Sequence, residues 1–264
     1  MPIVPIPCLE DNYAYAVFPE VEAGSLPSHV AVQAIVIDPS EAGPVVSCLE
    51  RLRLGLGGVL LTHHHWDHVG GVPGLEAHYG NIPVLAHRID GARVPAVTRL
   101  LEDGESVVLA GLTFQVMHVP GHTLGAVAYR HGQAVFTGDT LFAGGCGRLF
   151  EGTAEVMYRS LKRFADLPAE TEIYCGHEYA LRNLSFARSI EPNNANVVER
   201  LARVRALAEA RLPSVPATVQ EELETNPFLR CDVQQFRARA GIEPALDGPS
   251  CFALVRARRD AFRA

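Results

Sequence analysis

The stretch Thr62-His63-His64-His65-Trp66-Asp67-His68-Val69-Gly70-Gly71 constrains this chain more than any other feature. Five of the seven residues after Thr62 carry an imidazole or a carboxylate. Near neutral pH such a cluster either repels itself as it protonates or shares its lone pairs with a metal, and imidazole is the commonest protein metal ligand. The apolar run Gly58-Val59-Leu60-Leu61 reads as a buried strand, so the cluster lies on the loop leaving it. His63 and His65, two apart in an extended loop, face the same way and suit one cation. Asp67 and His68 are adjacent and come just before a turn and a helix-like stretch from Val69 to Tyr79, so they face elsewhere and predict a second cation. His64 and Trp66 alternate out of the ligand set and are expected to pack or hydrogen-bond behind it.

The length allows one large domain and a smaller one. Hydrophobic residues make up 48% and charged residues 20%, an ordinary globular balance that argues against disorder. Six scattered cysteines without a Cys-x-x-Cys pair argue against a disulfide framework or a thiolate zinc site, and predict reduced, partly buried thiols. The net charge of -7 disfavours a nucleic-acid partner. Charge is uneven, however: residues 226–264 hold seven Arg against four acids, so that this tail is basic on an acidic body. Such a tail is either a solvated helix face or an anion site. Met1 to Asn12 carries no Lys or Arg and no long apolar run, so neither a secretory signal nor a membrane span is expected, and the cytoplasm is the default.

Tyr13 to Phe18 and Ala31 to Ile37 read as strands, the second ending in Asp38-Pro39, with a loop from Glu20 to His29 between them. Val45, Val46, Leu49 and Leu52 follow at helical spacing, and Ile82 to Ala86 is another strand. From Ser106 to Gly138 the pattern is all-β, with Val107 to Leu109, Leu112 to Met117, Ala126 to Tyr129 and Ala134 to Thr137 joined by short turns, which predicts a second sheet. Three later loops add candidates at strand exits: His122 in Val119-Pro120-Gly121-His122-Thr123, Asp139 in Thr137-Gly138-Asp139-Thr140, and His177 in Cys175-Gly176-His177-Glu178. Each alone is ordinary turn chemistry. After Tyr179 the strands are expected to stop, and Asn196 to Leu212 and Ser250 to Phe262 read as helices.

His63, His65, Asp67, His68, His122, Asp139 and His177 together suit two cations, three terminal ligands each with one carboxylate shared. The His-x-His-x-Asp-His motif with its distal His, Asp and His resembles the metallo-β-lactamase superfamily. That resemblance implies an α/β (α+β) fold, the metallo-β-lactamase αββα sandwich, with a C-terminal helical domain: a catalytic domain over 1–180 and an α-helical substrate-binding domain over 181–264. It implies that His63, His65 and His122 hold one metal, that Asp67, His68 and His177 hold the other, and that Asp139 bridges them. Two divalent ions are expected, zinc first, with iron or manganese also compatible with such donors.

A narrower resemblance rests on Asp11-Asn12-Tyr13, Thr62 to Gly71, Gly138 to Phe142, Gly145-Cys146-Gly147-Arg148, Glu151-Gly152-Thr153, Cys175 to Tyr179, Asn226-Pro227-Phe228 and Arg256 with Arg259-Asp260. These are similar to the glyoxalase II family, the hydroxyacylglutathione hydrolases, from the first strand to the last helix. The family implies hydrolysis of a glutathione thioester, S-D-lactoylglutathione to D-lactate and glutathione, the second step of methylglyoxal detoxification. A hydroxide bridging two cations, set by Asp67 and Asp139 among the ligands, would be the nucleophile. A thiolate with a parent pKa of about 8.5 leaves without a dedicated acid, and the chain has no Gly-x-Ser-x-Gly elbow. Arg148, Phe150, Tyr179, Arg256 and Arg259 match positions that contact glutathione, chiefly its glycine carboxylate. Phe150 departs from the family's usual Tyr and forfeits a hydroxyl contact of roughly 1 kcal/mol, and Arg148 stands where Lys is frequent. A monomer is expected. The rivals are another hydrolase of the superfamily, a mononuclear-iron persulfide dioxygenase, a diiron electron-transfer protein and a purely structural metal site.

Overall fold

The computed structural model describes residues 1–20 and 31–263. The expected loop from Glu20 to His29 therefore lies, beyond Glu20, outside the described residues. The chain divides into two units, residues 1–118 with 125–132 and residues 119–124 with 133–264.

The first unit opens with β1 (Ile3–Cys8), β2 (Asn12–Val17) and β3 (Val32–Ile37), followed by α1 (Ala42–Leu52) and β4 (Leu54–Leu60). Then come α2 (Trp66–Val69), α3 (Val72–Tyr79), β5 (Val84–His87) and β6 (Arg99–Leu101). These strands lie in the order β1-β2-β3-β4-β5-β6. The first pairings are antiparallel and those from β3 to β6 parallel. Parallel strands covered on both faces read as continuous apolar runs, which is why Ala34 to Ile37, Val59 to Leu61 and Val84 to Ala86 show no alternation. One face packs Ala34, Val36, Val59, Leu61, Val84 and Ala86 against Val45 and Leu49 of α1 and Val72 and Leu75 of α3. β1 was not apparent in the sequence because Pro5 and Pro7 interrupt it; it is the edge strand of its sheet, where a missing N–H is tolerated.

The same unit carries β7 (Ser106–Leu109), β8 (Leu112–His118) and β9 (Val127–His131), an antiparallel meander. Here one face is wet, and β8 alternates Leu112, Phe114 and Val116 inward with Thr113 and Gln115 outward. Two bonds tie β9 to the strand that precedes the histidine cluster: the Tyr129 hydroxyl donates to the Leu61 carbonyl at 2.7 Å and the Val127 N–H to that of Thr62 at 2.8 Å.

The second unit contains β10 (Ala134–Gly138), a hairpin of β11 (Leu141–Phe142) and β12 (Gly145–Cys146), α4 (Ala154–Ala165) and β13 (Glu172–Cys175). It continues with α5 (Ala180–Ile190), α6 (Ala195–Glu209), β14 (Ala217–Thr218), α7 (Val219–Thr225), α8 (Gln234–Arg239) and α9 (Gly248–Ala261). β13 pairs parallel with β10 and antiparallel with β14. The expectation that strands stop after Tyr179 is thus corrected: β14 adds two residues to the sheet, too few to leave a periodic signature. α4, also not anticipated, begins at Thr153, whose side chain accepts the Val156 N–H, and buries Met157, Leu161 and Phe164. Thr218 and Glu221 form a reciprocal capping box at α7.

Candidate active site

In the first unit the loop leaving β4 is fixed from below by one carboxylate. Asp38, at the exit of β3, accepts the Thr62 N–H at 2.7 Å and the Thr62 hydroxyl at 2.6 Å, and its Oδ2 lies 3.0 Å from His68 Nδ1. Because the Thr62 hydroxyl donates to Asp38, its oxygen is left to accept from His63 Nδ1, 3.0 Å away. His63 therefore carries its proton on Nδ1 and a lone pair on Nε2, and that Nε2 faces His65 Nδ1 at 3.1 Å. Two ligand nitrogens on a tetrahedral zinc, with bonds of 2.0–2.1 Å, stand about 3.3 Å apart. The donor pair fits such an ion.

His68, on the short turn α2, is likewise oriented by Asp38, which turns its Nε2 to within 3.7 Å of Asp67 Oδ2. Asp67 is held by Asn12 at the start of β2, whose Nδ2 donates to the Asp67 carbonyl at 3.0 Å and to Oδ2 at 3.2 Å. Asp38, His63 and His68 also offer donor atoms within 4.8 Å of one another. Asp38 already accepts from Thr62 and His68, which makes it a residue that orients these candidate ligands. His64 turns away, with Nδ1 2.9 Å from the buried Asp90, as expected. Trp66 does not pack behind the candidate ligands: it is 69% exposed, because the helical turn rotates it away from the buried His68.

In the second unit His122, Asp139 and His177 converge. His122 lies four residues beyond β8, Asp139 directly after β10, and His177 two residues after β13. Asp139 Oδ2 is 3.2 Å from His177 Nε2 and 3.6 Å from His122 Nε2. His122 Nδ1 donates to the Arg148 carbonyl at 2.9 Å, leaving its lone pair on Nε2. The approach demands glycine at 147: a Cβ there would fall 1.9 Å from the Asp139 carbonyl oxygen. Tyr179 stacks on His177, centroids 4.8 Å apart and planes within 7°, and meets Phe142 edge-on. Phe150 is 62% exposed with its edge on the His122 ring at 5.2 Å.

The same unit gathers the basic residues. Arg256 is buried in α9, where Nη1 donates to the Cys146 carbonyl at 3.2 Å, Nη2 to Asp260 at 2.6 Å, and the guanidinium lies over Phe228. Its buried Nε–H meets no hydrogen-bond partner among the described residues. Arg259 donates to Asn183 Oδ1 at 3.3 Å. Burial, then Arg182 and Arg256, depress the Arg259 pKa to about 10, so that it remains charged at neutral pH. Arg148 is exposed. Arg182, Asn183 and Asp38 were not singled out in the sequence. Asp38-Pro39 is visible there as a strand end, but nothing local connects it to residues 62 and 68. All six cysteines are buried, more completely than expected.

Residues 32–177 match the family described as the metallo-beta-lactamase superfamily, so the class of protein is that of the metallo-β-lactamase fold with His/Asp clusters for divalent metal ions. A di-iron-bound crystal structure of TTHA1623 is similar, with a TM-score of 0.59 and 29% identity, over 87% of this chain and 100% of that one. Residues 178–262 match the hydroxyacylglutathione hydrolase C-terminus. A hydroxyacylglutathione hydrolase of Methylococcus capsulatus is 46% identical over 99% of this chain and 98% of its own. The cytoplasmic hydroxyacylglutathione hydrolase of Arabidopsis thaliana is 39% identical over 100% of both. The chain belongs to the hydroxyacylglutathione hydrolase family. No described helix is long and apolar enough to cross a membrane.

Proposed function

We propose that the protein hydrolyses S-(2-hydroxyacyl)glutathione thioesters, releasing D-lactate and glutathione from S-D-lactoylglutathione in methylglyoxal detoxification. The observation that carries this reading is the crowding of Arg182, Arg256 and Arg259. Burial, and then their mutual repulsion, depress the Arg259 pKa, and the buried Arg256 Nε–H meets no partner among the described residues. Guanidiniums so placed suit a carboxylate fork, and the glycine carboxylate of glutathione supplies one. Arg148 adds charge, while Tyr179 and Phe150 offer ring surface to the rest of the tripeptide.

His63, His65 and His122 would hold one cation, Asp67, His68 and His177 a second, and Asp139 would bridge. When bound, two divalent cations, zinc before iron or manganese, supply Lewis acidity and water activated near neutral pH. The chain's part is to orient. Asp38 fixes the tautomers of His63 (through Thr62) and of His68, Asn12 aims Asp67, and the Arg148 carbonyl sets His122. No side chain need protonate the leaving thiolate. In this reading residues 1–180 form the catalytic portion and 181–264 the substrate-binding helices, and the protein works as a cytoplasmic monomer, as the Arabidopsis relative's name suggests for location. The net charge of -7 gives no reason to add a nucleic-acid partner.

The test is steady-state hydrolysis of S-D-lactoylglutathione, with metals counted on the same sample. Two metals and fast turnover are expected. One iron with slow turnover would favour a persulfide dioxygenase, and two metals without thioesterase activity would overturn the substrate.

A further inference from the structure

Asp139 and Arg148 are joined by the β11–β12 hairpin, whose strands are only two residues each. So short a ladder cannot fix its own position. The hairpin is held instead by side chains from the helices. Asn183 of α5 donates to the Ala143 carbonyl at 3.2 Å, and Asn226, just past α7, donates to that of Gly145 at 3.0 Å. The tip itself is gripped by Glu222 of α7. Its two carboxylate oxygens accept the Gly144 N–H at 2.9 and 3.2 Å. Glu222 is wholly buried, is ion-paired with Arg200, and also accepts from Asn226 at 2.8 Å; Arg200 is in turn braced by Thr225 at 2.6 Å. The returning strand then delivers the Cys146 carbonyl to Arg256 at 3.2 Å and, two residues on, Arg148.

We propose that Glu222 is a positioning residue for substrate binding: through the hairpin tip it sets the Cys146 carbonyl that aims Arg256, and the backbone that carries Arg148. A buried ion pair adds little net stability relative to an apolar replacement; the effect of this one is geometric. The inference rests on the function proposed above and deepens it.

The experiment compares Glu222→Gln with wild type on two substrates, S-D-lactoylglutathione and the same thioester with its glycine carboxylate esterified. Glutamine keeps the shape but loses the charge that organises three donors, the Gly144 N–H, Asn226 Nδ2 and the Arg200 guanidinium. The expected result is a rise of about tenfold in KM for the free acid, with kcat and metal content unchanged and KM for the ester unmoved. Parallel changes in both KM values, no change in either, or a fall in kcat with loss of metal would overturn the inference while leaving the proposed function intact. A wild type inactive on both substrates would overturn both. If Glu222→Gln does not fold, Arg200→Lys carries the same comparison, with a selective KM rise of about threefold expected and an unselective one decisive against the proposal.

Discussion

Asp38 Oδ2 stands 3.0 Å from His68 Nδ1 and 2.6 Å from the Thr62 hydroxyl. One buried carboxylate thus determines which nitrogen of two separate imidazoles keeps its lone pair. Asp38→Asn should lower metal affinity roughly 10- to 100-fold, the usual cost of removing such a supporting partner. Titration of the apoprotein with zinc against a competing chelator measures this. Unchanged affinity would mean that the tautomers are set elsewhere.

Asp139 Oδ2 approaches both His122 and His177. If it bridges two cations, Asp139→Ala should reduce the metal count from two towards one and the rate by at least about a thousandfold, since Lewis acidity and water activation go together. Elemental analysis beside the thioester assay decides it. Full occupancy with retained activity would remove Asp139 from the bridge.

Arg256 and Arg259 are expected to act on binding. Replacing both by Ala should raise KM for S-D-lactoylglutathione by roughly a hundredfold, about 1.5 kcal/mol for each charge-assisted contact, with metal content unchanged. A variant that loses kcat at constant KM would point to a different role.

His87 gives a prediction for pH. It is buried and stacked on His118 at 4.4 Å, and its Nδ1 has no partner among the described residues. Burial, and next the neighbouring His118, hold its pKa below the ordinary value, against the weaker pull of Glu102, Asp90 and Asp103. The unfolded chain therefore takes up this proton first. The contribution is present above about pH 6.5 and is lost as pH falls towards the depressed folded value, with a slope of at most about 1.4 kcal/mol per pH unit. His87→Phe, which preserves the stack, should flatten the urea stability curve between pH 7.5 and 5. Identical slopes in the two proteins would refute the assignment.

The candidate ligands stand out in the sequence because metal chemistry calls for distinctive residue types at strand exits, and four of the seven share one decapeptide. What supports them was not. Asp38 lies 24 residues from Thr62 and 30 from His68, and only the parallel pairing of β3 with β4 brings it beneath the loop. Glu222 and Gly144 are 78 apart. Such partners are joined by topology, and a window sliding along the chain sees only an ordinary acid. β1 was hidden by its prolines and β14 by its brevity. Trp66 was misjudged because alternation, a rule for extended backbone, fails once the chain turns helical at that residue.

That outward-facing indole is the only tryptophan in the chain, and its neighbours on either side, His65 and Asp67, are candidate ligands. Ultraviolet emission excited at the red edge of protein absorption therefore comes from a single fluorophore beside the proposed metals. A closed-shell ion such as zinc leaves that emission largely intact, whereas an open-shell iron quenches it. If His65 and Asp67 hold metal as proposed, the protein carries its own optical reporter of which ion is bound.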